Sequence, residues 1–388
     1  MKQYERNLYV LSLAIFLASI SWFQIMPFLP LFLEEMGVKE NILQWSGIIF
    51  AIQSLASIVA LPYWGKLGDR YGRKAMTLRA GFCLAGIYFG MSVCRTPYEL
   101  AFLRFLNGAL TGFIPGAMAL IATGTPQEEG PRAVAIAQTA GAAGQIVGPG
   151  IGGFMASLFG YRGSMGVSGS AVLFSTLLVL VMVREGPREV SEEKTSLLDD
   201  FRLMFQSPVL ASVMLVVLVN GFFMSAINPV LALHLRDIGR DAPAWLTGCI
   251  FSLPATAFVL SAQRWTRYGD RAGYDRAILT GLAGAALCGI SLSLVRGIWP
   301  FAILFFALGV CVASIAPSAG AIICLRVPEH FRGRAYGMQQ SAVMLGALIA
   351  PVTATQIAAC LGIPSVFAIN ALLYLAGIAA FRTLIRRW

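Results

Sequence analysis

The chain has 388 residues, 57% hydrophobic and 12% charged, and a mean hydropathy of +0.73. Ordinary soluble domains carry about 25% charged residues, so these proportions exclude a soluble protein of this size. The formal charge of +10 does not indicate nucleic acid, because the cations sit between apolar runs and not along one face.

Taken in chain order, the apolar runs predict twelve spanning helices. They lie near 8–33, 44–65, 76–94, 99–123, 133–159, 164–183, 207–234, 244–263, 276–295, 300–325, 336–360 and 364–382. Each is long enough to cross a bilayer, and the fold class is an all-α membrane protein of two six-helix bundles. The first run is too long for a signal-peptide core and reads as a span. The last two have no charge between Ala335 and Phe381 and are divided at Leu361-Gly362-Ile363-Pro364, the Gly-Pro punctuation in that stretch. The seven cysteines fall within or at the ends of spans with no C-x-x-C pair, and read as packing residues without disulfides.

Between the second and third spans lies Gly65-Lys66-Leu67-Gly68-Asp69-Arg70-Tyr71-Gly72-Arg73-Lys74. It reads as a ten-residue polar hairpin in which glycines let the chain reverse tightly, so the flanking helices lie antiparallel. Its four cations against one acid mark the cytoplasmic side. With both termini cytoplasmic, 21 of the 29 Lys and Arg residues fall on that side and six outside, while Arg79 and Arg104 lie within spans. The reverse orientation would invert that ratio.

The two halves resemble each other at an offset of 200 to 202 residues. Pro27 matches Pro229, Trp45-Ser46-Gly47 falls near Trp245-Leu246-Thr247-Gly248, and Asp69-Arg70-Tyr71-Gly72 matches Asp270-Arg271-Ala272-Gly273. Gln138, Gly144 and Pro149 match Gln340, Gly346 and Pro351. The expected organisation is a bundle at 1–183, a cytoplasmic linker at 184–206 with a short amphipathic helix near Leu197–Phe205, and a second bundle at 207–388. The halves are not equivalent: Phe305 or Phe306 stands where Arg104 stands, and the second half reads as an apolar wall.

Three features carry chemistry. Arg104 lies inside the fourth span, where a charge costs at least ~2.5–3.5 kcal/mol at the bilayer centre, so it must face a cavity or a partner. Arg104, Gly108, Thr111 and Pro115 share one helical face. Gly144, Gly148 and Gly152 recur every fourth residue and strip a stripe of side chains for a close neighbour, beside Pro149, which favours a bend. Cavity candidates are Gln24, Gln53, Asn107, Gln138, Gln145, Asn220, Phe223, Asn228, Gln340 and Met344, a set of amides, an aromatic and a thioether. No Asp or Glu lies in the interior of spans 1, 2, 5, 7, 8, 10 or 11, and Glu34 and Glu99 lie at outer ends. His234 and His330 fall at span ends and read as interfacial.

The hairpin matches G-x-L-x-D-R-x-G-R-K at every position and resembles the loop signature of the major facilitator superfamily of transporters. The Arg104 segment is similar to that superfamily's fourth-helix motif. Gly144-Gln145-Ile146-Val147-Gly148-Pro149-Gly150-Ile151-Gly152-Gly153 resembles the G-x-x-x-G-P-x-x-G-G signature of its twelve-helix drug:proton antiporters, as Pro27-Phe28-Leu29-Pro30 resembles their P-x-x-P. The resemblance implies two bundles in parallel repetition with a substrate site near the bilayer midplane. It implies export of drugs or amphipathic and anionic small molecules by alternating access, protons as counter-ion, an inner-membrane location and a monomer. Gly65, Asp69, Arg70, Gly72, Arg73, Gly144, Gly148, Pro149 and Gly152 would form the conformational switch. Asp69 would meet the N-terminal end of the eleventh helix around Arg334–Gly337, and Arg70, Arg73 and Lys74 would pair with Glu128 and Glu129. The competing expectation is a dedicated exporter of one metabolite, such as a siderophore or lipid-like solute. A membrane enzyme is disfavoured by two histidines, no H-E-x-x-H and no G-x-S-x-G. Neither a cofactor nor a metal is implied.

Overall fold

The computed structural model describes residues 2–38, 40–110, 112–126, 128–185, 207–239, 243–327 and 329–385, and among these it contains helices and no strand. The helices are α1 (Gln3–Ile25), continued through a 3-10 turn (Met26–Phe28) into α2 (Leu29–Glu35), then α3 (Ile42–Tyr71), α4 (Arg73–Val93), α5 (Pro97–Leu110), α6 (Phe113–Gly124) and α7 (Gly130–Met182). After the linker come α8 (Pro208–Gly239), α9 (Ala244–Ala272), α10 (Tyr274–Leu294), α11 (Ile298–Val312), α12 (Ile315–Arg326), α13 (Glu329–Leu361) and α14 (Ile363–Ile385). The expected helix at Leu197–Phe205, and most of the expected linker, lie outside the described residues.

Among the described residues, eleven helical runs are long and apolar enough to cross a membrane. One of them, α7, has 53 residues. At ~1.5 Å per residue it measures about 80 Å, more than twice a hydrocarbon core of about 30 Å. Gly160, at φ 70° and ψ 173°, breaks the helical path and divides α7 into two crossings. The twelve expected spans are thus all present.

The polar hairpin is not a loop. Helix α3 runs without interruption to Tyr71 and α4 starts at Arg73, so Gly72 alone makes the reversal. Its φ of 107° is one that L side chains rarely adopt. Residues read as loop by polarity are the last turns of a helix that outlasts the apolar layer. Glu185 receives the start of α4, accepting the Arg73 amide at 2.8 Å and the Lys74 amide at 3.2 Å. A carboxylate there satisfies free N–H groups at the positive end of the helix. Helix α5 opens on Thr96-Pro97-Tyr98-Glu99, where the Glu99 amide donates to Thr96 Oγ1 at 3.2 Å and the Glu99 carboxylate accepts the Arg95 amide at 2.8 Å. That is a capping arrangement with proline at the first helical position.

The chain divides into two compact units: unit 1 is Met1–Glu192 with Ala242–Ser252, and unit 2 is Glu193–Asp241 with Leu253–Trp388. In unit 1, Leu29, Phe32, Tyr88 and Leu100 belong to one buried apolar cluster and Leu11, Ile15, Phe113 and Ile121 to a second. The glycine stripe of α7 lies on α1. A Cβ on Gly144 would stand 2.7 Å from the Phe16 carbonyl, one on Gly148 3.0 Å from the Ile20 carbonyl, and one on Gly152 would strike the Gln24 carbonyl. Carbonyls four residues apart on one helix thus face glycines four apart on the other. Also within unit 1, Gly153 lies against Ala244 and Gly248 against the Pro149 carbonyl.

Unit 2 repeats the contacts of unit 1. Gly273 reverses the chain between α9 and α10 with φ 98°, as Gly72 does. Gly309 on α11 lies on Pro254 of α9, where Gly108 on α5 lies on Gln53 of α3, each residue 201 positions from its counterpart. Trp265 Nε1 donates to the Val310 carbonyl at 2.6 Å, and Trp64 Nε1 donates to the Ala109 carbonyl at the same distance. Gly346 meets Leu218 and Phe222 as Gly144 meets Phe16 and Ile20.

Candidate functional site

Arg104 is the largest fully buried side chain of unit 1, 2% exposed. Helix α5 carries Arg104 and Asn107 one turn apart, and Gly108 draws α3 so close that Gln53 reaches the same spot. Gln53 Nε2 donates to Asn107 Oδ1 at 3.3 Å. The Arg104 guanidinium lies 5.5 Å from the centre of the Phe50 ring, and the Tyr88 phenol of α4 interacts with both Arg104 and Asn107. Tyr88, Asn107 and Gln53 are all buried.

Hydrogen bonding in this cluster is incomplete. Arg104 Nε, Arg104 Nη2 and Asn107 Nδ2 are buried donors with no partner at hydrogen-bonding geometry, the Tyr88 phenol lying near Asn107 without closing that bond. Buried polar groups are almost always hydrogen-bonded, and an orphaned charged donor carries a penalty of roughly 1–3 kcal/mol or more. The orphans are all N–H groups, and the one acceptor of the Asn107 amide is taken by Gln53. Such a cluster is complementary to an oxyanion, which the planar guanidinium can receive through two parallel bonds.

Sequence reasoning placed ten further residues around a cavity, five in each unit. Gln53 and Asn107 join Arg104. Gln24, 2% exposed, donates to the Ser164 carbonyl and to Ser168 Oγ and ties α1 to the second crossing of α7. Gln138, Gln145 and Gln340 are exposed, and Asn228 and Met344 are half-buried. In unit 2, Asn220 accepts the Tyr374 hydroxyl at 3.2 Å, and Phe223 stacks on Tyr374 at 4.7 Å. His234, near the end of α8, is 3% exposed and packs 5.2 Å from Phe301 and 5.3 Å from Phe367. The side chains of Asp69, His330 and Arg334, and residue Thr111 entirely, lie outside the described residues, as does any contact expected of them. Glu129 accepts the Tyr4 hydroxyl at 3.0 Å, and Glu185, which sequence reasoning missed, is the acid on the α4 start. Arg73 Nη1 donates to the Ala119 carbonyl at 3.2 Å and Lys74 Nζ to the Leu180 carbonyl at 2.9 Å. Gly65 has open space where a Cβ would stand, and Arg70 lies 5.4 Å from the Tyr71 ring.

Membrane-length helices in two repeated units, with one buried arginine among amides, define a polytopic membrane transporter. The model of the Major Facilitator Superfamily matches residues 11–299 and 213–387, and the chain belongs to that superfamily. It is 32% identical over 373 residues to the multidrug resistance protein MdtG of Citrobacter koseri, covering 95% of this chain and 92% of that one. It is 31% identical over 377 residues to MdtG of Enterobacter lignolyticus, covering 96% and 90%. Among solved structures, a bacterial homologue of the human lysosomal transporter Spinster, inward-facing and occupied, superposes with a TM-score of 0.84 at 14% identity over 100% of this chain and 98% of that one. The nucleoside transporter NupG superposes with a TM-score of 0.81 at 14% identity over 99% and 100%. The human organic anion transporter MFSD10 gives 0.71 at 16% identity over 98% and 100%. At these identities the structures establish the fold alone.

Proposed function

We propose that this transporter exports drug-like amphipathic molecules bearing an anionic group, by alternating access and in exchange for protons. The observation that carries this reading is the set of buried, partnerless donors on Arg104 and Asn107. A carboxylate, sulfonate or phosphate on the substrate would satisfy them, and the Phe50 and Tyr88 rings beside them suit an aromatic or aliphatic body. Similarity to proteins named for multidrug resistance supports a broad substrate range and an inner-membrane setting. The Lys and Arg distribution supports cytoplasmic termini. We take the chain to act as a monomer, with bundles at 1–183 and 207–388 joined by 184–206. Gly65, Asp69, Arg70, Gly72, Arg73, Gly144, Gly148, Pro149 and Gly152 then belong to the parts that move during the cycle.

Export is tested in inside-out vesicles with an imposed pH gradient, against a panel of cationic dyes, anionic dyes and anionic metabolites. Uptake of anionic compounds that collapses with the gradient and with Arg104→Ala is the expected result. Uptake confined to cations, or indifferent to Arg104→Ala, contradicts the reading. Uptake of one metabolite only favours the dedicated exporter.

A further inference from the structure

We propose that Trp64 is a positioning residue for Arg104, acting through a joint in the fourth span; the proposal rests on the reading of Arg104 as the group that contacts substrate. Helix α5 ends at Leu110, α6 begins at Phe113, and Gly112 between them has φ 128° and ψ 6°. The Ala109 carbonyl, in the last turn of α5, therefore has no amide four residues ahead in its own helix. An open carbonyl is strongly disfavoured in a membrane interior. Trp64 of α3 fills the gap, its Nε1–H donating to that carbonyl at 2.6 Å.

The two halves of this span are attached to different neighbours. Helix α5 belongs with α3: Gly108 sits on the Gln53 carbonyl and Ala56, Ser57 Oγ donates to the Gly108 carbonyl at 3.4 Å, and Gln53 donates to Asn107. Helix α6 belongs with α4: Gly116 lies against the Thr77 hydroxyl, and Gly81 lies against the Phe113 ring. Arg104 and Asn107 thus ride on the α3 side of the joint, and Tyr88 stands on α4. The angle at Gly112 sets how the donors of Arg104 face the space around Tyr88. Trp64 fixes that angle, because its indole is hydrogen-bonded to α5 while Arg79 of α4 stacks on its face, 3.3 Å from the ring centre.

Unit 2 supplies an internal control. Trp265 makes the same bond to Val310 near the end of α11, and the span resumes at Ile315, but Phe305 occupies the place of the arginine. Trp265 therefore holds a joint that carries no binding group.

The test compares wild type, Trp64→Phe, Trp265→Phe and Arg104→Ala in the full-length protein. Trp64→Phe keeps a ring for Arg79 and removes the donor. Hydrogen exchange is measured across 105–116 in detergent, and transport of carboxyfluorescein in inside-out vesicles. Trp64→Phe should speed exchange at 105–116 and raise the half-saturation concentration by about fivefold, the value of one lost hydrogen bond. Trp265→Phe should speed exchange around 306–317 only and leave half-saturation unchanged. Gly112→Ala strains the same joint from the other side and should reproduce the Trp64→Phe pattern should that variant fail to accumulate. Unchanged exchange at 105–116, or faster exchange with unchanged half-saturation, overturns the positioning role. Wild-type-like transport by Arg104→Ala overturns the substrate-contacting reading itself, and the proposal falls with it.

Discussion

Unit 1 and unit 2 share a scaffold and differ at its centre. Both have a glycine of the fourth or tenth span seated on the backbone of its neighbour, and both have an indole closing the carbonyl above a helix break. At the positions 201 residues from Gln53, Tyr88, Arg104 and Asn107, unit 2 has Pro254, Gly289, Phe305 and Leu308. The space is filled by aromatic contacts instead, with Phe301 stacked 5.6 Å from Phe305 and edge-on to Phe367 at 5.6 Å, and His234 beside them. Helix packing in this fold is set by backbone approach at small residues, which leaves the chemistry of the enclosed space free to differ. The halves can therefore be broken separately, one at its site and both at their scaffold.

The largest effect is expected at the site. Arg104→Ala removes two charge-assisted bonds of roughly 1.5–3 kcal/mol each to a bound anion, so transport of anionic substrates should fall by at least about a hundredfold. Arg104→Lys should recover only part of it, because an ammonium cannot match the planar fork. Initial rates at matched membrane abundance measure both. Phe305→Ala, at the equivalent point of unit 2, should instead lower stability by about 3–5 kcal/mol with little change in substrate preference.

A smaller effect is expected at the scaffold, and equally in both units. Gly108→Ala and Gly309→Ala each push a methyl group into facing backbone, an overpacking worth about 1–3 kcal/mol. Thermal unfolding in detergent should drop similarly for the two, and a large difference would deny the equivalence. Asp69→Asn should slow transport while leaving abundance intact, which parallel immunoblots and uptake assays can separate. The smallest change belongs to Glu185→Gln, which weakens the charge at the α4 start by about 0.3–1 kcal/mol and should shift the melting point slightly.

How much of this was readable in advance follows from the range of each interaction. Spans depend on local composition, and all twelve were visible as apolar runs. The residues 65–74 misled because polarity marks where the apolar layer ends, while α3 continues to Tyr71. Arg104 stood out because a charge in an apolar run requires a reason. Gln24 resembled it as a polar residue in a span, but its partners Ser164 and Ser168 are 140 and 144 residues away, beyond any local pattern. The span-end position of His234 was legible, but its burial against Phe301 and Phe367 was not, because those rings lie 67 and 133 residues further along the chain. Trp64 and Trp265 carried a usable signal, being 201 residues apart and so in register with the repeat.

The central claim is that a buried set of donors in unit 1 receives an anionic group, and substrate binding tests it most directly. Affinities of carboxyfluorescein and its neutral carboxamide would be measured on detergent-solubilised wild type and Arg104→Ala. The wild type should prefer the carboxylate by about tenfold or more, in keeping with one charge-assisted hydrogen bond, and Arg104→Ala should bind the two alike. Equal affinity for both in the wild type, or the same carboxylate preference in Arg104→Ala, would contradict it.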